Sequence, residues 1–304
     1  MPFQRGNGMT QTITSTRRTG SAPVVHTTSG AVRGVVENGI AVFRGIPYAE
    51  PPVGELRFRP PIARQRWTGV FDATHFGPTV TQLYVFDSDA QVGAAANPAG
   101  DDCLNLNVWT PSPGPTRLPV MVWIHGGAFK TGAGSDAYAD GATFARDGVV
   151  TVTINYRLHA LGFLYLDDKP GSGGFGLLDQ IAALQWVQKN IGAFGGDTGN
   201  VTIAGESAGG LSVMYLLAAP DARGLFAKAI TQSAYMVSTP ELRTATFGMI
   251  AAESAGVWLA GKLGATNLVA QWAVRDLAAA RAWAEALPTG GTRDNALTGL
   301  MRTW

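Results

Sequence analysis

The stretch from residue 201 to 217 constrains the fold more than any other part of the sequence, because it joins a strand to a helix through a very tight turn. A β-branched run, Val201-Thr-Ile, leads into Gly205-Glu-Ser-Ala-Gly209, and helix-forming residues follow at once. Glycines at both ends of the pentapeptide let such a turn close. This arrangement predicts a nucleophile elbow, in which Ser207 has a strained backbone and presents its hydroxyl at the sheet edge. Ser207 is therefore the candidate catalytic nucleophile.

The Gly-x-Ser-x-Gly pattern is weak when it is taken alone, since an ordinary glycine-rich turn between a strand and a helix gives the same letters. The chain contains an internal comparison at Ala252-Glu-Ser-Ala-Gly256, where alanine replaces the first glycine and no β-branched run precedes it. We therefore interpret Ser254 as a helix residue without a catalytic role. The preceding strand and the paired glycines distinguish Ser207.

Strand and helix patterns alternate along the chain. The helix pattern at 176–194 places Leu177, Ile181, Leu184, Val187 and Ile191 on one stripe. Short apolar or β-branched runs predict strands at 23–27, 31–36, 40–44, 103–109, 119–124, 149–155 and 227–232. The alternation predicts an α/β fold with a mainly parallel central sheet, helices on both faces and antiparallel strands at the N-terminus.

Composition excludes several classes of partner. The 304 residues are 46% hydrophobic and 15% charged, so the chain is long enough for a large core. A net charge of +1 without blocks of like charge argues against nucleic acid and anionic membranes as partners. Cys103 is the single cysteine, and no cysteine and histidine residues have metal-ligand spacing. We therefore expect no intramolecular disulfide, no metal and no cofactor.

Residues 1–22 mix arginine with threonine, serine and glycine, and they lack the apolar core of roughly 7–15 residues that a signal peptide needs. We interpret them as a disordered lead before a single domain at 23–304. No apolar run approaches the roughly 18 residues of a membrane span. These features predict a soluble, cytoplasmic protein.

Seven motifs occur in an order that identifies a family resemblance. They are Phe43-Arg-Gly-Ile-Pro-Tyr-Ala, Asp102-Cys-Leu-Asn-Leu-Asn-Val-Trp109, His125-Gly-Gly-Ala-Phe129, Asn155-Tyr-Arg-Leu, Gly176-Leu-Leu-Asp-Gln180, Phe194-Gly-Gly-Asp197 and Gly205-Glu-Ser-Ala-Gly209. Over residues 23–235 the chain resembles the type B carboxylesterases, which include cholinesterases and bacterial esterases of the α/β-hydrolase fold. The resemblance implies hydrolysis of uncharged or weakly charged carboxylic esters through an acyl-enzyme at Ser207.

The resemblance also implies an oxyanion hole. Ester hydrolysis passes through a tetrahedral oxyanion, which preorganised N–H donors stabilise. The implied donors are the N–H groups of Gly127 and Ala128, together with that of Ala208 after the nucleophile, while Gly126 shapes the turn. His125 precedes this segment, and the resemblance gives it a structural role instead of that of the base.

Two structural ion pairs are implied in the same way, Arg44 with Asp101 and Arg157 with Asp179. We expect Glu206 to be a buried, hydrogen-bonded acid outside the catalytic triad. Family members commonly carry a cysteine near residues 79–82 that bridges to the position of Cys103. Val80 and Thr81 stand there in this chain, so we expect Cys103 to be free.

The acid and the histidine of the triad are not found. In α/β-hydrolases they follow the serine in the order serine, acid, histidine, yet no histidine follows Ser207 in this sequence. Three interpretations stay open: the N-terminal portion of a longer esterase, an enzyme with another base, or a catalytically impaired or non-catalytic binding protein of esterase ancestry.

The part of the family pattern that this sequence does not reach also affects the predicted strand at 227–232. In the family order it would be covered by a further parallel strand, which this sequence does not reach. An uncovered strand edge predicts self-association. Alternatively, helices predicted between 239 and 287 fold back over that edge.

Overall fold

The computed structural model describes residues 22–82, 98–165 and 172–234. The predicted lead, apart from residue 22, lies outside the described residues, and so do Ser254 and the helices predicted between 239 and 287. The cytoplasmic location rests on that lead and stays a prediction.

Ten strands and four α-helices form in the described residues. The strands are β1 (Val24–His26), β2 (Ala31–Arg33), β3 (Val35–Glu37), β4 (Ile40–Pro47), β5 (Val70–Asp72), β6 (Asn105–Thr110), β7 (Leu118–Ile124), β8 (Val150–Ile154), β9 (Gly196–Glu206) and β10 (Lys228–Gln232). The helices are α1 (Ala142–Arg146), α2 (His159–Phe163), α3 (Phe175–Asn190) and α4 (Ala208–Ala218). Each strand that the sequence predicted is present, and β3 separates from β2 at Gly34.

The strands form a seven-stranded sheet in the order β10-β9-β7-β8-β6-β4-β3 and a three-stranded sheet in the order β1-β2-β5. Pairing is parallel from β10 to β8 and antiparallel from β8 to β3. The predicted antiparallel N-terminal strands are confirmed. The antiparallel part extends to β6, so the larger sheet is mixed and its parallel half runs from β8 to β10.

Burial explains why this sheet is the centre of the molecule. All residues of β6 and β8 are buried, as expected for strands covered on both faces. Of the predicted stripe on α3, Ile181, Leu184 and Val187 are buried in the core, and Ile191 is buried directly after the helix. The apolar period therefore placed this helix correctly.

The register brings the carboxyl ends of three parallel strands together. Ile124 at the end of β7 pairs with Gly205 of β9, and Gly205 also pairs with Thr231 of β10. The segments that follow β7 and β9 consequently leave the sheet side by side. In open α/β sheets this edge is where ligands bind.

None of the helices in the described ranges is long and apolar enough to cross a membrane.

Candidate active site

Ser207 lies between the last residue of β9 and the first residue of α4 with φ +54° and ψ −120°. For a residue other than glycine this conformation costs about 1–3 kcal/mol and persists only where the surroundings enforce it. The Ser207 N–H donates to the carbonyl oxygen of Gln232 at 2.9 Å, which ties the turn to the end of β10. The backbone therefore has the strained geometry that the elbow requires.

The two glycines of the elbow are required because backbone segments approach very closely. A Cβ on Gly209 would overlap the carbonyl oxygen of Ile124, and a Cβ on Gly205 would overlap the backbone of Gly209. The start of α4 thus packs directly against the end of β7. Any larger residue at these positions would push the turn away from the sheet.

Residues 126–132, which we call the oxyanion loop, pass directly beside Ser207, the candidate nucleophile. A Cβ on Gly126 would lie 3.3 Å from Cβ of Ser207 and 2.7 Å from the carbonyl oxygen of Glu206. Gly127, Ala128 and Phe129 then have left-handed φ values of +102°, +54° and +57°. Only a residue without a side chain fits at Gly126, which allows the loop to approach Ser207.

The predicted oxyanion donors are available for a ligand. Among the described residues, the N–H groups of Gly127 and Ala128 make no hydrogen bond to a backbone carbonyl or a side chain. Ala208 is the first residue of α4, where an N–H has no acceptor within the helix. The dipole of α4 also favours negative charge at this end. These groups can therefore stabilise a developing oxyanion.

His125 belongs to the core behind the loop. Its ring is buried and stacks on Tyr156 at 4.5 Å between ring centroids, and its Nδ1 lies 2.8 Å from the carbonyl oxygen of Gly126. Since a carbonyl only accepts, Nδ1 carries the proton. Tyr156, a residue to which sequence reasoning gave no role, donates its hydroxyl to the His125 carbonyl at 2.8 Å. Burial lowers the pKa of the His125 imidazole, so the ring is held neutral.

None of the chain's four histidines hydrogen-bonds to the hydroxyl of Ser207 within the residues that the structure describes. His26 is exposed on β1, and Nδ1 of His75 lies 2.8 Å from the hydroxyl of Thr74. Nε2 of His159 contacts the carbonyl oxygen of Thr81. In the described residues, the candidate nucleophile and the candidate oxyanion donors consequently lie together without a histidine bonded to the serine hydroxyl.

Arg157 and Asp179 form a buried ion pair that joins the end of β8 to α3. Nε and Nη2 of Arg157 each lie 2.7 Å from a carboxylate oxygen of Asp179, and the Arg157 N–H donates to the same carboxylate at 3.0 Å. The two side chains are 2% and 0% exposed. Burial raises the pKa of Asp179, and Arg157 opposes that shift by favouring the charged carboxylate.

The prediction that Arg44 forms an ion pair with Asp101 is wrong. Arg44 binds Glu37 instead, with Nη1 at 2.9 Å from Oε1. Glu37 pairs with Ile40, which lies on the same face of β4 as Arg44, so the two long side chains reach each other along that face. This contact lowers the pKa of Glu37. Asp101 is exposed, and its neighbour Asp102 pairs with Arg64 at 3.2 Å.

The expectation that Glu206 is buried is also wrong. Glu206 is exposed because β9 ends there, at the open carboxyl edge of the sheet. Its carboxyl group therefore lies beside the oxyanion loop, with Oε2 3.0 Å from the Cβ position of Gly126.

Cys103 is free, as the sequence predicted, and it is buried. It lines a cavity of about 240 Å³ together with Val80 and Thr81. Burial raises the pKa of its thiol to about 12, so the thiol stays protonated at neutral pH.

Comparison with known proteins gives consistent matches. The model of the "Carboxylesterase family" matches residues 21–257. The para-nitrobenzyl esterase of Bacillus subtilis is 49% identical over 213 residues, which are 69% of this chain and 43% of that protein. The phenmedipham hydrolase of Pseudarthrobacter oxydans is 46% identical over 213 residues, with the same shares. The chain thus spans less than half the length of these curated relatives.

Solved structures agree with the sequence matches. The carboxylesterase of Geobacillus stearothermophilus at pH 6.2 is 40% identical and has a TM-score of 0.66, with 92% of this chain and 53% of that chain covered.

Proposed function

Since the chain belongs to the carboxylesterase family, we propose that it hydrolyses carboxylic esters with Ser207 as the nucleophile and Gly127, Ala128 and Ala208 as oxyanion donors. One observation supports this proposal above all: the strained serine and the oxyanion loop lie side by side. They lie so close that a Cβ on Gly126 would be 3.3 Å from Cβ of Ser207. In acyl transfer, a strained turn presents the serine hydroxyl for attack, and free N–H donors at the same sheet edge stabilise the oxyanion.

The reaction would begin with attack of Ser207 Oγ on the ester carbonyl carbon. The carbonyl oxygen becomes the oxyanion and receives hydrogen bonds from the three N–H groups. Collapse of this intermediate expels the leaving group as its oxyanion, while the serine proton passes to solvent water. Water then cleaves the acyl-enzyme and releases the carboxylic acid.

The serine proton needs an acceptor, and none of the four histidines hydrogen-bonds to Ser207 in the described residues. Oxyanion donors and binding alone retain roughly 10³–10⁴-fold acceleration over water in serine proteases without a functional triad. We therefore propose that this polypeptide acts on activated esters, whose leaving groups need no protonation.

For the substrate we propose an uncharged or weakly charged carboxylic ester. The exposed carboxyl group of Glu206 directly precedes Ser207 and would repel an anionic ester. One relative is named as a para-nitrobenzyl esterase, and a nitrobenzyl ester belongs to this uncharged class.

Hydrolysis of para-nitrophenyl acetate by Ser207→Ala and Ser254→Ala tests the function. Ser254 shares the letters Glu-Ser-Ala-Gly with the elbow, so it is the matched control. We expect Ser207→Ala to reduce turnover to the uncatalysed background, while Ser254→Ala keeps the activity of the parent chain. Equal turnover by the parent chain and Ser207→Ala would contradict the assignment.

We also propose that the polypeptide self-associates through β10. In the described part of the chain β10 pairs with β9 alone, and Ile230 at its centre is 48% exposed. A strand with one free edge offers unpaired N–H and C=O groups to another chain.

Light scattering tests this association. We expect masses above the 31.9 kDa of one chain, and we expect Ile230→Lys to shift the population toward monomer, because lysine on an edge strand opposes pairing. Ile62→Lys changes a residue with 51% exposure outside the strands and is the control. A monomeric parent chain, or equal effects of both variants, would contradict the proposal.

A further inference from the structure

The oxyanion loop has a backbone that its own sequence does not favour. Ala128 and Phe129 have φ values of +54° and +57°, although neither is glycine. Such residues hold a left-handed conformation only where their surroundings enforce it. Some part of the structure must therefore hold this loop in place.

Hydrogen bonds within the loop close a turn. The carbonyl oxygen of Gly127 accepts from the N–H groups of Lys130 at 2.9 Å and Thr131 at 3.0 Å. These bonds shape the loop, but they do not fix its position relative to Ser207.

Gln82 holds the C-terminal end of the loop from outside. The Gly132 N–H donates to Oε1 of Gln82 at 2.8 Å, and Nε2 of Gln82 donates to the Gly132 carbonyl at 3.2 Å. The same Nε2 also donates to the carbonyl of Val80 at 3.2 Å. One side-chain amide thus pairs both backbone groups of Gly132, in the manner of a neighbouring strand.

His159 holds the middle of the loop. Its N–H donates to the carbonyl oxygen of Phe129 at 2.6 Å, and its ring Nε2 contacts the carbonyl oxygen of Thr81. Because a carbonyl only accepts, Nε2 carries the proton. The rings of Phe129 and Phe163 also pack at 4.8 Å between centroids, which joins the loop to α2.

We propose that Gln82 and His159 are positioning residues, which together form a polar clamp that holds the N–H groups of Gly127 and Ala128 toward Ser207. The proposal rests on the proposed function, because it assigns those N–H groups to the oxyanion. Both residues connect the loop to the segment 80–82, which no disulfide fixes, since Cys103 is free. The hydrogen bonds of Gln82 and His159, together with the packing of Phe129 on Phe163, therefore hold the loop in position.

The kinetics of a fluorophosphonate that acylates serine hydrolases test the clamp. Gln82→Met keeps the length of the side chain and removes the amide, whereas Gln82→Glu keeps an acceptor for the Gly132 N–H. His159→Asn keeps the backbone N–H, tolerates positive φ and removes the ring. Gln188→Met is the matched control, because the Gln188 amide donates to the carbonyls of Thr198 and Leu225, outside the loop, at 3.0 and 2.9 Å.

We expect Gln82→Met to lower the maximal labelling rate about tenfold, because misplaced donors weaken transition-state stabilisation while reagent binding is kept. The half-saturating reagent concentration should stay unchanged. Gln82→Glu should recover part of the rate, His159→Asn should lose several-fold, and Gln188→Met should match the parent chain. Unchanged rates in Gln82→Met, or an equal loss in Gln188→Met, would overturn the proposal.

Amide hydrogen exchange of peptides from residues 127–132 gives a second measurement that needs no activity. We expect faster exchange in Gln82→Met than in Gln188→Met and the parent chain. Equal exchange in all three would overturn the clamp, even if labelling falls. If the parent chain is not labelled at all, the proposed function fails, and the exchange rates alone then decide whether Gln82 holds the loop.

Discussion

Replacing Gly127 by valine should lower the rate of Ser207 acylation by at least about 100-fold, which is the scale of losing one oxyanion donor. Gly127 has φ +102°, and a Cβ there would overlap the carbonyl oxygen of Thr131. A β-branched residue is excluded from this backbone conformation. The loop must therefore move, and its N–H donors move with it.

The measurement is the fluorophosphonate labelling rate of the purified variant, together with its thermal unfolding. Gly148→Val is the control, because Gly148 has φ +85° and lies in the turn between α1 and β8. Apart from its chain neighbours, no described residue has an atom within 4 Å of its Cβ position. That variant carries similar backbone strain away from the oxyanion loop and should keep the labelling rate. A Gly127→Val variant that labels as fast as the control would show that the oxyanion donors lie elsewhere.

Replacing Arg157 by methionine should lower the free energy of unfolding by about 3–5 kcal/mol, since it leaves the carboxylate of Asp179 buried without its partner. The two side chains are 2% and 0% exposed, and Arg157 contributes both charge-assisted bonds at 2.7 Å. Marginal stabilities of ~5–15 kcal/mol make such a loss visible in urea denaturation. The double variant Arg157→Met, Asp179→Leu should recover part of it, because no buried charge is left.

Arg117→Met is the comparison for that experiment. Arg117 pairs with Asp197 at 3.4 Å, but its side chain is 79% exposed, so water screens the pair and its loss should leave stability nearly unchanged. An Arg157→Met variant as stable as Arg117→Met would mean that the buried pair does not hold α3 against β8.

The fold could be predicted because local patterns encode it. The continuous apolar run of β7 and the β-branched run of β8 indicate strands, and the helix period places α3. The ordered motifs identified the family, and the family match and the solved structures confirm both the family and the α/β-hydrolase fold. The extent of antiparallel pairing could not be predicted from β6 itself, because strand composition does not report direction.

The errors share a physical cause. Whether Arg44 binds Asp101 or Glu37 depends on how far each carboxylate lies from the Arg44 guanidinium in the fold. The pattern of apolar residues in the sequence does not give that distance. The exposure of Glu206 depends on what covers the sheet edge. Gln82 was missed for the same reason, since a single amide in a loop has no pattern around it, although its bonds to Gly132 span 50 positions of the chain.

We assign Ser207 as the nucleophile of this chain. The most direct test of this assignment is to treat the parent chain and the Ser207→Ala variant with a fluorophosphonate and to locate the adduct by peptide mass spectrometry. We predict one modified peptide, which contains Ser207 and is absent from the variant. An adduct on Ser254 or another serine, or no adduct on the parent chain, would contradict the assignment.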